Sequence, residues 1–553
     1  MQLQYAHSPL TNRKLIAHEK CAFVLLALLW TSPILADEII PFVLQDSQYR
    51  TNLGICNLDR LPADVSILLF NNNSRLVGTG MVQVPGQGFV NLNEVVYFVL
   101  GHVSELPFEG YIRLQSTKRI VAFASQIQNA NNGPGIIPAT TDNVGPVILP
   151  VTSSIEPWST TLVVLNLAAR ATVVRFSLRG EDGSLVAEGE RTLEGSSQWI
   201  SSNIHRDLGV QNVRGSLTVR SLDAAPLAVV CRHSQTYTRQ AVFQQPFDLK
   251  AAASLFYLPY RFVKDLHQSW VVLNNLDAEA ANVKLEPFSP EGIALGEYSL
   301  QVPALGSALI AGSQLLAGQE DQAPYGIIRG TSNRSFSGLI IQIDLATGDT
   351  IHTNLVSRLS PEVLIPSVTE TSTFSSNLLV SNLGDAPTSI EVIDRSVDGN
   401  KPVPMLKTLI PARGSLYMDK VQVGLGVGLG YGPLALRSIE GQPLAAFSHV
   451  MNTESGARGS LDSVDSRPVS FLRSGQQFTL RWDAADVSEV HEFRIYRADR
   501  ATRDFQRIAS VPGSVLACSL RATDPGDFTI SVRAFDGVGE SNPSNEVLVQ
   551  VLP

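Results

Sequence analysis

Charge is scarce in this chain. Charged residues make up 17% of its 553 residues, below the roughly 25% of ordinary soluble domains. The balance leans acidic, with 42 Lys and Arg against 51 Asp and Glu for a net charge of -9. A groove for DNA or RNA needs clustered Lys and Arg, so no nucleic-acid partner is expected. Cysteine is rare, with four in the whole chain. Long apolar runs are missing except for one near the start. The 41 Gly and 31 Pro are spread along the sequence without a collagen period, and apolar residues at 44% are too many for a disordered chain. What remains is a composition suited to many short strands joined by turns, at a length that predicts about three to five domains.

The one apolar run is an address. Arg13, Lys14 and Lys20 precede Cys21 to Trp30, and the stretch closes through Pro33 to Ala36. A positive flank, a short apolar centre and a small residue at its end are the parts of a secretory signal peptide. The run is too short for a bilayer span, which needs about 20 apolar residues. Cys21 precedes the apolar run and so is not a lipid anchor. Residues 1–36 are therefore assigned to the signal peptide, with no membrane span after its removal. The mature chain then has 39 basic against 50 acidic side chains, or -11.

Four copies of one unit follow. Leu-Pro or Ile-Pro opens each at Pro41, Pro150, Pro259 and Pro366, and Asn-Leu recurs at Asn57, Asn166, Asn275 and Asn382. Two residues before each Asn stand Ile55, Val164, Leu273 and Val380; four before stand Leu53, Leu162, Val271 and Leu378. The residue between varies freely: Cys56, Leu165, Asn274, Ser381. Such alternation predicts a strand with one face in a core and one in solvent. Turn signals come next, at Asn73-Ser74, Asp182-Gly183, Glu291-Gly292 and Asp398-Gly399, and predict a hairpin. Late in each unit a Gly and a Ser lie six apart, at Gly110/Ser116, Gly215/Ser221, Gly326/Ser332 and Gly432/Ser438. The pattern predicts an all-β fold of tandem antiparallel β-sandwiches, with units at 37–143, 144–254, 255–361 and 362–464. As a rod of independent sandwiches, the chain should be cut by proteases near residues 144, 254, 361 and 464.

The last stretch, 465–553, breaks the pattern. Phe478 to Trp482, Phe493 to Tyr496 and Phe528 to Phe535 read as strands. This run resembles a fibronectin type III domain, an immunoglobulin-like sandwich. Trp482 matches that family's second-strand tryptophan and Tyr496 its third-strand tyrosine; Phe528 replaces the usual corner tyrosine and loses its hydroxyl contact. No Arg-Gly-Asp occurs, so integrin binding is not implied. The four upstream units are similar to tandem β-sandwich modules of uncharacterised secreted bacterial proteins. That resemblance implies an exported protein of bacterial type, secreted, extracellular or at the cell surface, the periplasm included, and supplies no activity.

Catalytic signatures are missing. No His pair has zinc-helix spacing, and His491-Glu492 lacks the second His of a zincin. No Gly-x-Ser-x-Gly elbow is present. Cys56, Cys231 and Cys518 fall in three different units, so no unit holds an internal disulfide, and we read them as bystander thiols. Gly424 to Gly432 lacks the Lys of a phosphate loop and reads as a connecting loop. Asp394 to Asn400 has the wrong spacing for calcium and reads as a turn. No catalytic residue, cofactor or metal ligand is assigned.

Aromatic residues alone suggest binding. Eight residues before each Asn-Leu stand Tyr49, Trp158, His267 and Phe374. A ring at the same place in every unit is read first as packing at the unit's bend or against its neighbour; stacking on a ligand is the rival use. The third unit adds Phe256, Tyr257, Tyr260, Phe262 and Trp270. Trp158, Tyr260, Phe262 and Trp270 are therefore the candidate ligand contacts. The expected function is non-enzymatic adhesion, surface display or spacing, on a surface polysaccharide or extracellular protein. The alternative is a carbohydrate-binding accessory protein using the aromatic face of the third unit. Export has a direct check: the native protein should begin at Asp37 by mass spectrometry, and an intact N-terminus in the cytosol would remove the reading.

Overall fold

Alternating aliphatic residues make strands where the repeat predicts them: Tyr49–Asn57, Trp158–Asn166, His267–Asn275 and Phe374–Asn382 each end on the recurrent Asn. The structure, a computed structural model, describes residues 36–552 apart from 102–105, 131, 142–144, 236–240, 396–402, 456, 463, 466–468, 474, 476, 482–489, 500–504, 516, 525 and 542–546. The signal segment before Ala36, the turn Asp398-Gly399, Trp482 and the expected cut at 144 lie outside the described residues. Strand accounts for 62% and helix for 5% of the chain, so the all-β class holds.

Unit 1 stacks two sheets. One runs in the order Leu76–Val84, Ala63–Asn71, Phe108–Ser116, Ala36–Gln45, Thr140–Thr141; the other in the order Phe89–Leu92, Tyr49–Asn57, Ile120–Gln128, Gly133–Pro138. Unit 2 repeats both orders strand for strand. In unit 3 the long strand Tyr325–Asp344 serves both sheets, pairing first with Ala253–Arg261 and Ala281–Phe288 and then with His267–Asn275 and Thr350–Asn354. In unit 4 a single pair, Glu370 with Ser375, links the two layers. Seven further strands between Val469 and Leu552 form a five-stranded and a two-stranded sheet. One element escaped the sequence pattern. Each unit carries a short helix: Val95–Leu100, Ile204–Asp207, Gly312–Leu316 and Val421–Gly424. They are too short to show a helical period, and the last occupies the start of the glycine run read as a loop.

The recurrent Asn is a latch. Asn166 Nδ2 donates to the carbonyls of Arg170 (2.8 Å), Leu193 (3.3 Å) and Glu194 (2.9 Å), while its Oδ1 accepts from the Ala168 amide. Asn57, Asn275 and Asn382 make the same set of bonds in their own units. All four are buried. One amide thus ties the loop after the strand to the end of the outer edge strand, and only Asn offers both donor and acceptor at this reach.

The structure corrects the expected solvent face. The variable residues Cys56, Leu165, Asn274 and Ser381 are as buried as their aliphatic neighbours, at 1% exposure or less. Their side of the strand packs against the preceding unit. Leu165 clusters with Ile39 and Tyr111 of unit 1, Asn274 Nδ2 donates to Pro150 O of unit 2 at 3.1 Å, and Cys56 packs with Leu364 and Ala435 of unit 4. The Leu of each Asn-Leu pair joins the same contacts, Leu383 against Tyr257 of unit 3 among them. Backbone bonds repeat too: Gln198 N to Asn72 O, Ser307 N to Glu181 O and Ser415 N to Pro290 O, each from one unit to the one before. The hairpin glycines make room for this. Gly183 and Gly292 have φ of 82° and 78°, and a Cβ on either would fall 1.9 Å and 2.1 Å from Ala304 O and Ala412 O of the next unit.

The contacts close on themselves. Unit 4 meets unit 1 through Cys56 Sγ donating to Pro366 O at 2.9 Å, across 310 residues of sequence. The innermost strands Gly133–Pro138, Ala241–Gln244, Thr350–Asn354 and Arg458–Asp462 touch in a complete cycle. The four units are a closed ring around an axis, not the rod expected from serial repetition. The expected cut points are not open linkers: residues 254 and 464 lie in strands, and Ser360, next to residue 361, is 3% exposed. Replacing Asn166 by Ala should cost about 2–4 kcal/mol by stranding three buried carbonyls, read by urea unfolding. A loss below 1 kcal/mol on the same principle would contradict the latch.

Candidate axial binding site

Two of the four predicted ligand contacts are core residues. Tyr260 and Phe262 are 0% and 3% exposed, their rings tilted against each other 4.8 Å apart in the interior of unit 3. Tyr260 donates its hydroxyl to Phe288 O at 2.9 Å. Phe256, also 0% exposed, fills space that unit 3 lacks elsewhere: a Cβ on Gly330 would lie 2.0 Å from its ring. Leu114, Val219 and Leu436 hold the position of Gly330 in the other units. Phe256, Tyr260 and Phe262 are therefore a repacked core and not a ligand face. Trp270 is half-buried, on a groove of about 540 Å³ beside the helix Gly312–Leu316.

Trp158 stands elsewhere, at one end of the ring axis. With Tyr49 it walls a cavity of about 30 Å³ that all four units line. Unit 1 supplies Tyr49 and Gln126, unit 2 Trp158 and Phe243, unit 3 Asp349 and Thr350, and unit 4 Arg458. Both rings open their strands, so the same place in the repeat brings them to the same end. His267 occupies that place in unit 3 and faces inward, its Nε2 accepting from Arg458 at 3.0 Å. Phe374 opens its strand half-buried without lining the cavity.

The polar lining is short of partners. Gln126 is 2% exposed, yet neither its Oε1 nor its Nε2 has a hydrogen bond. Asp349 Oδ2, Thr350 Oγ1 and Arg458 Nε are likewise buried and unpaired. Arg458 is anchored by Asp344 at 2.6 Å. Burial pushes the Asp349 carboxyl up to about 6, with Arg458 pulling the other way. Buried groups of this kind normally have a partner, so the cavity offers donors, an acceptor pair and two aromatic walls to a small polar group. Room exists for about two groups the size of a water.

Gln126, Asp349, Thr350 and Arg458 were not singled out by sequence. One signal was there: Gln126, His233 and Gln342 occupy one repeat position, with Val450 in the fourth copy, each opposite an axial strand at Gly135, Val242, Ile351 and Gly459. A polar residue in three of the four copies of a buried strand marks the axis. Histidines gather there as well. His233 and His352 meet edge to face at 5.5 Å across units 2 and 3. No group of three or more potential metal ligands is found among the described residues. The thiols of Cys56 and Cys231 are buried, and burial pushes both up, away from the reactive thiolate.

Burial holds His233 down at about 4 and His352 and His449 well below the ordinary value. The unfolded chain takes up these protons as pH falls through about 6.5 and the folded chain does not, so this stability is lost toward acid. Glu109, Asp349, Asp394 and Asp462, raised by burial, act in the opposite sense. The histidine part is separable: between pH 7 and pH 5, His233→Gln should lose about 2 kcal/mol less stability than the native chain. Equal losses in urea unfolding would show that His233 is not held neutral.

No family model matches the chain, and no curated protein matches it. Solved structures similar to it include the FN1-FN3 domains of chicken CNTN1, at 11% identity over 51% of this chain and 98% of that one, TM-score 0.14. The BSP domain of a biofilm-associated protein is 8% identical over 78% and 93%, TM-score 0.13. BcpA, the major pilin subunit of Bacillus cereus, is 9% identical over 51% and 96%, TM-score 0.12. Likenesses at this level carry no argument about function.

Proposed function

We propose that this chain is an exported, non-enzymatic recognition protein whose four-unit ring is a rigid frame for one binding site, the axial mouth at Trp158 and Tyr49. One observation carries the reading: a cavity lined by all four units holds unpaired buried groups, Gln126 among them, beside two aromatic walls. Aromatic faces with a few fixed hydrogen-bonding groups suit a hydroxyl-rich ligand such as the end of a surface polysaccharide. The small volume admits one hydroxyl-bearing arm, with the sugar ring lying on Trp158. Adhesion or surface display is compatible with such a mouth. Spacing is not, because units closed in a ring add no length.

Multivalency also changes meaning. In a rod each unit adds a contact, whereas in the ring the site exists only when all four units are present. Glycan-array binding by the full chain should therefore vanish, not fall stepwise, when unit 4 is deleted. Trp158→Ala should weaken binding at least about tenfold with little change in melting temperature. Binding by a single isolated unit, or hydrolysis abolished by one substitution, would overturn this proposal. No helix among the described residues is long and apolar enough to cross a membrane.

A further inference from the structure

Beyond the innermost strands, on the axis away from Trp158, two cavities of about 410 and 420 Å³ share Gln245, Pro246, Asp248 and Asp462 as common walls. Each has the size of an ordinary small-molecule pocket. The first is walled largely by apolar side chains, with Phe123 and Ile136 from unit 1, Val230 from unit 2 and Leu461 from unit 4. Its charged lining is of one sign: Glu38, Asp248 and Asp462, with no Lys, Arg or His among the described residues that line it. Arg358 stands exposed on the second cavity only.

Two further polar groups line the pair of cavities, one on each. Gln244 is 1% exposed and lines the first cavity; its Oε1 bonds His233 Nε2 at 2.9 Å, and its Nε2 has no partner. Asn354 Nδ2 donates to Gln245 Oε1 and to Asp462 Oδ2, each at 3.3 Å, and leaves its Oδ1 unpaired. Asp462 thus has its hydrogen bonds from Asn354, and no Lys, Arg or His among the described residues lines the first cavity beside it. Burial pushes its carboxyl up to about 7. An acidic group in an apolar chamber is stabilised as the anion by an incoming cation, and an incoming anion meets only like charge.

We propose that the first cavity binds a small organic amine, its ammonium group against Asp462 and its apolar body between Phe123, Ile136 and Val230. The free Gln244 amide supplies a donor for a hydroxyl or carbonyl oxygen on the same ligand. The site meets the axial mouth at one shared wall, Phe243, and otherwise uses different residues.

The test uses the full chain and calorimetric titration with probes of one shape and three charges. These are 2-phenylethylamine, 2-phenylethanol and 3-phenylpropanoate, at a pH above the Asp462 value. The amine should bind at least about tenfold tighter than the alcohol, and the carboxylate should not bind. Asp462→Asn, which keeps the side-chain shape, should remove that preference, and Trp158→Ala should leave amine binding unchanged. Equal affinity for amine and alcohol on the native chain, or no heat with any probe, overturns the proposal without reference to any variant. Undiminished amine binding by a folded Asp462→Asn protein overturns the assignment of the carboxylate.

Discussion

Each unit contains one strand with two buried faces, and the arrangement of the whole ring rests on that. The strand ending at Asn57, Asn166, Asn275 or Asn382 gives its aliphatic face to its own core and its variable face to the unit before it. A fully buried Leu such as Leu165 contributes about 1.5–3 kcal/mol relative to exposure, so a unit standing alone would lose that stabilisation at every such position. The last unit has the same need as the others, and the first unit is what satisfies it. Closure is the geometry in which no copy keeps an uncovered face.

The variability of that face follows from the same constraint. A core position repeated in four similar units meets similar surroundings and stays aliphatic. An interface position meets a different neighbour each time. Cys56 donates to a carbonyl left by the Pro366 region, Asn274 donates to Pro150 O, and Leu165 packs on a tyrosine. The opening Pro is suited to this role. It lacks an N–H and sits at a register shift in units 1, 2 and 4, which leaves its carbonyl for the neighbour.

Ring closure also relocates function. Four copies joined end to end would present four weak and equivalent faces, whereas four copies around an axis create two places that no copy has alone. One is small, aromatic and polar; the other is roomy, apolar and acidic. The first is built from positions where the units differ: Gln126 against Val450, and Gly133 against Asp349 and Ala457. Divergence between copies is concentrated where a shared site has to be asymmetric.

Period, alternation and turn residues determined by themselves the class of fold, the number of units and the strand that ends on each Asn, because these depend on contacts within about twenty residues. Trp158 was legible as a ring at a recurring place, and its exposure at a mouth was not. Tyr260 and Phe262 show the reverse: their number suggested a surface, and the absent side chain at Gly330 places the cluster in a core. The Asn latch, the second buried face and the closure of unit 4 on unit 1 were decided only in the tertiary structure. Their partners lie 2 to 310 residues away, and the period of the chain does not say which distant group a hydrogen bond or a packed face will meet.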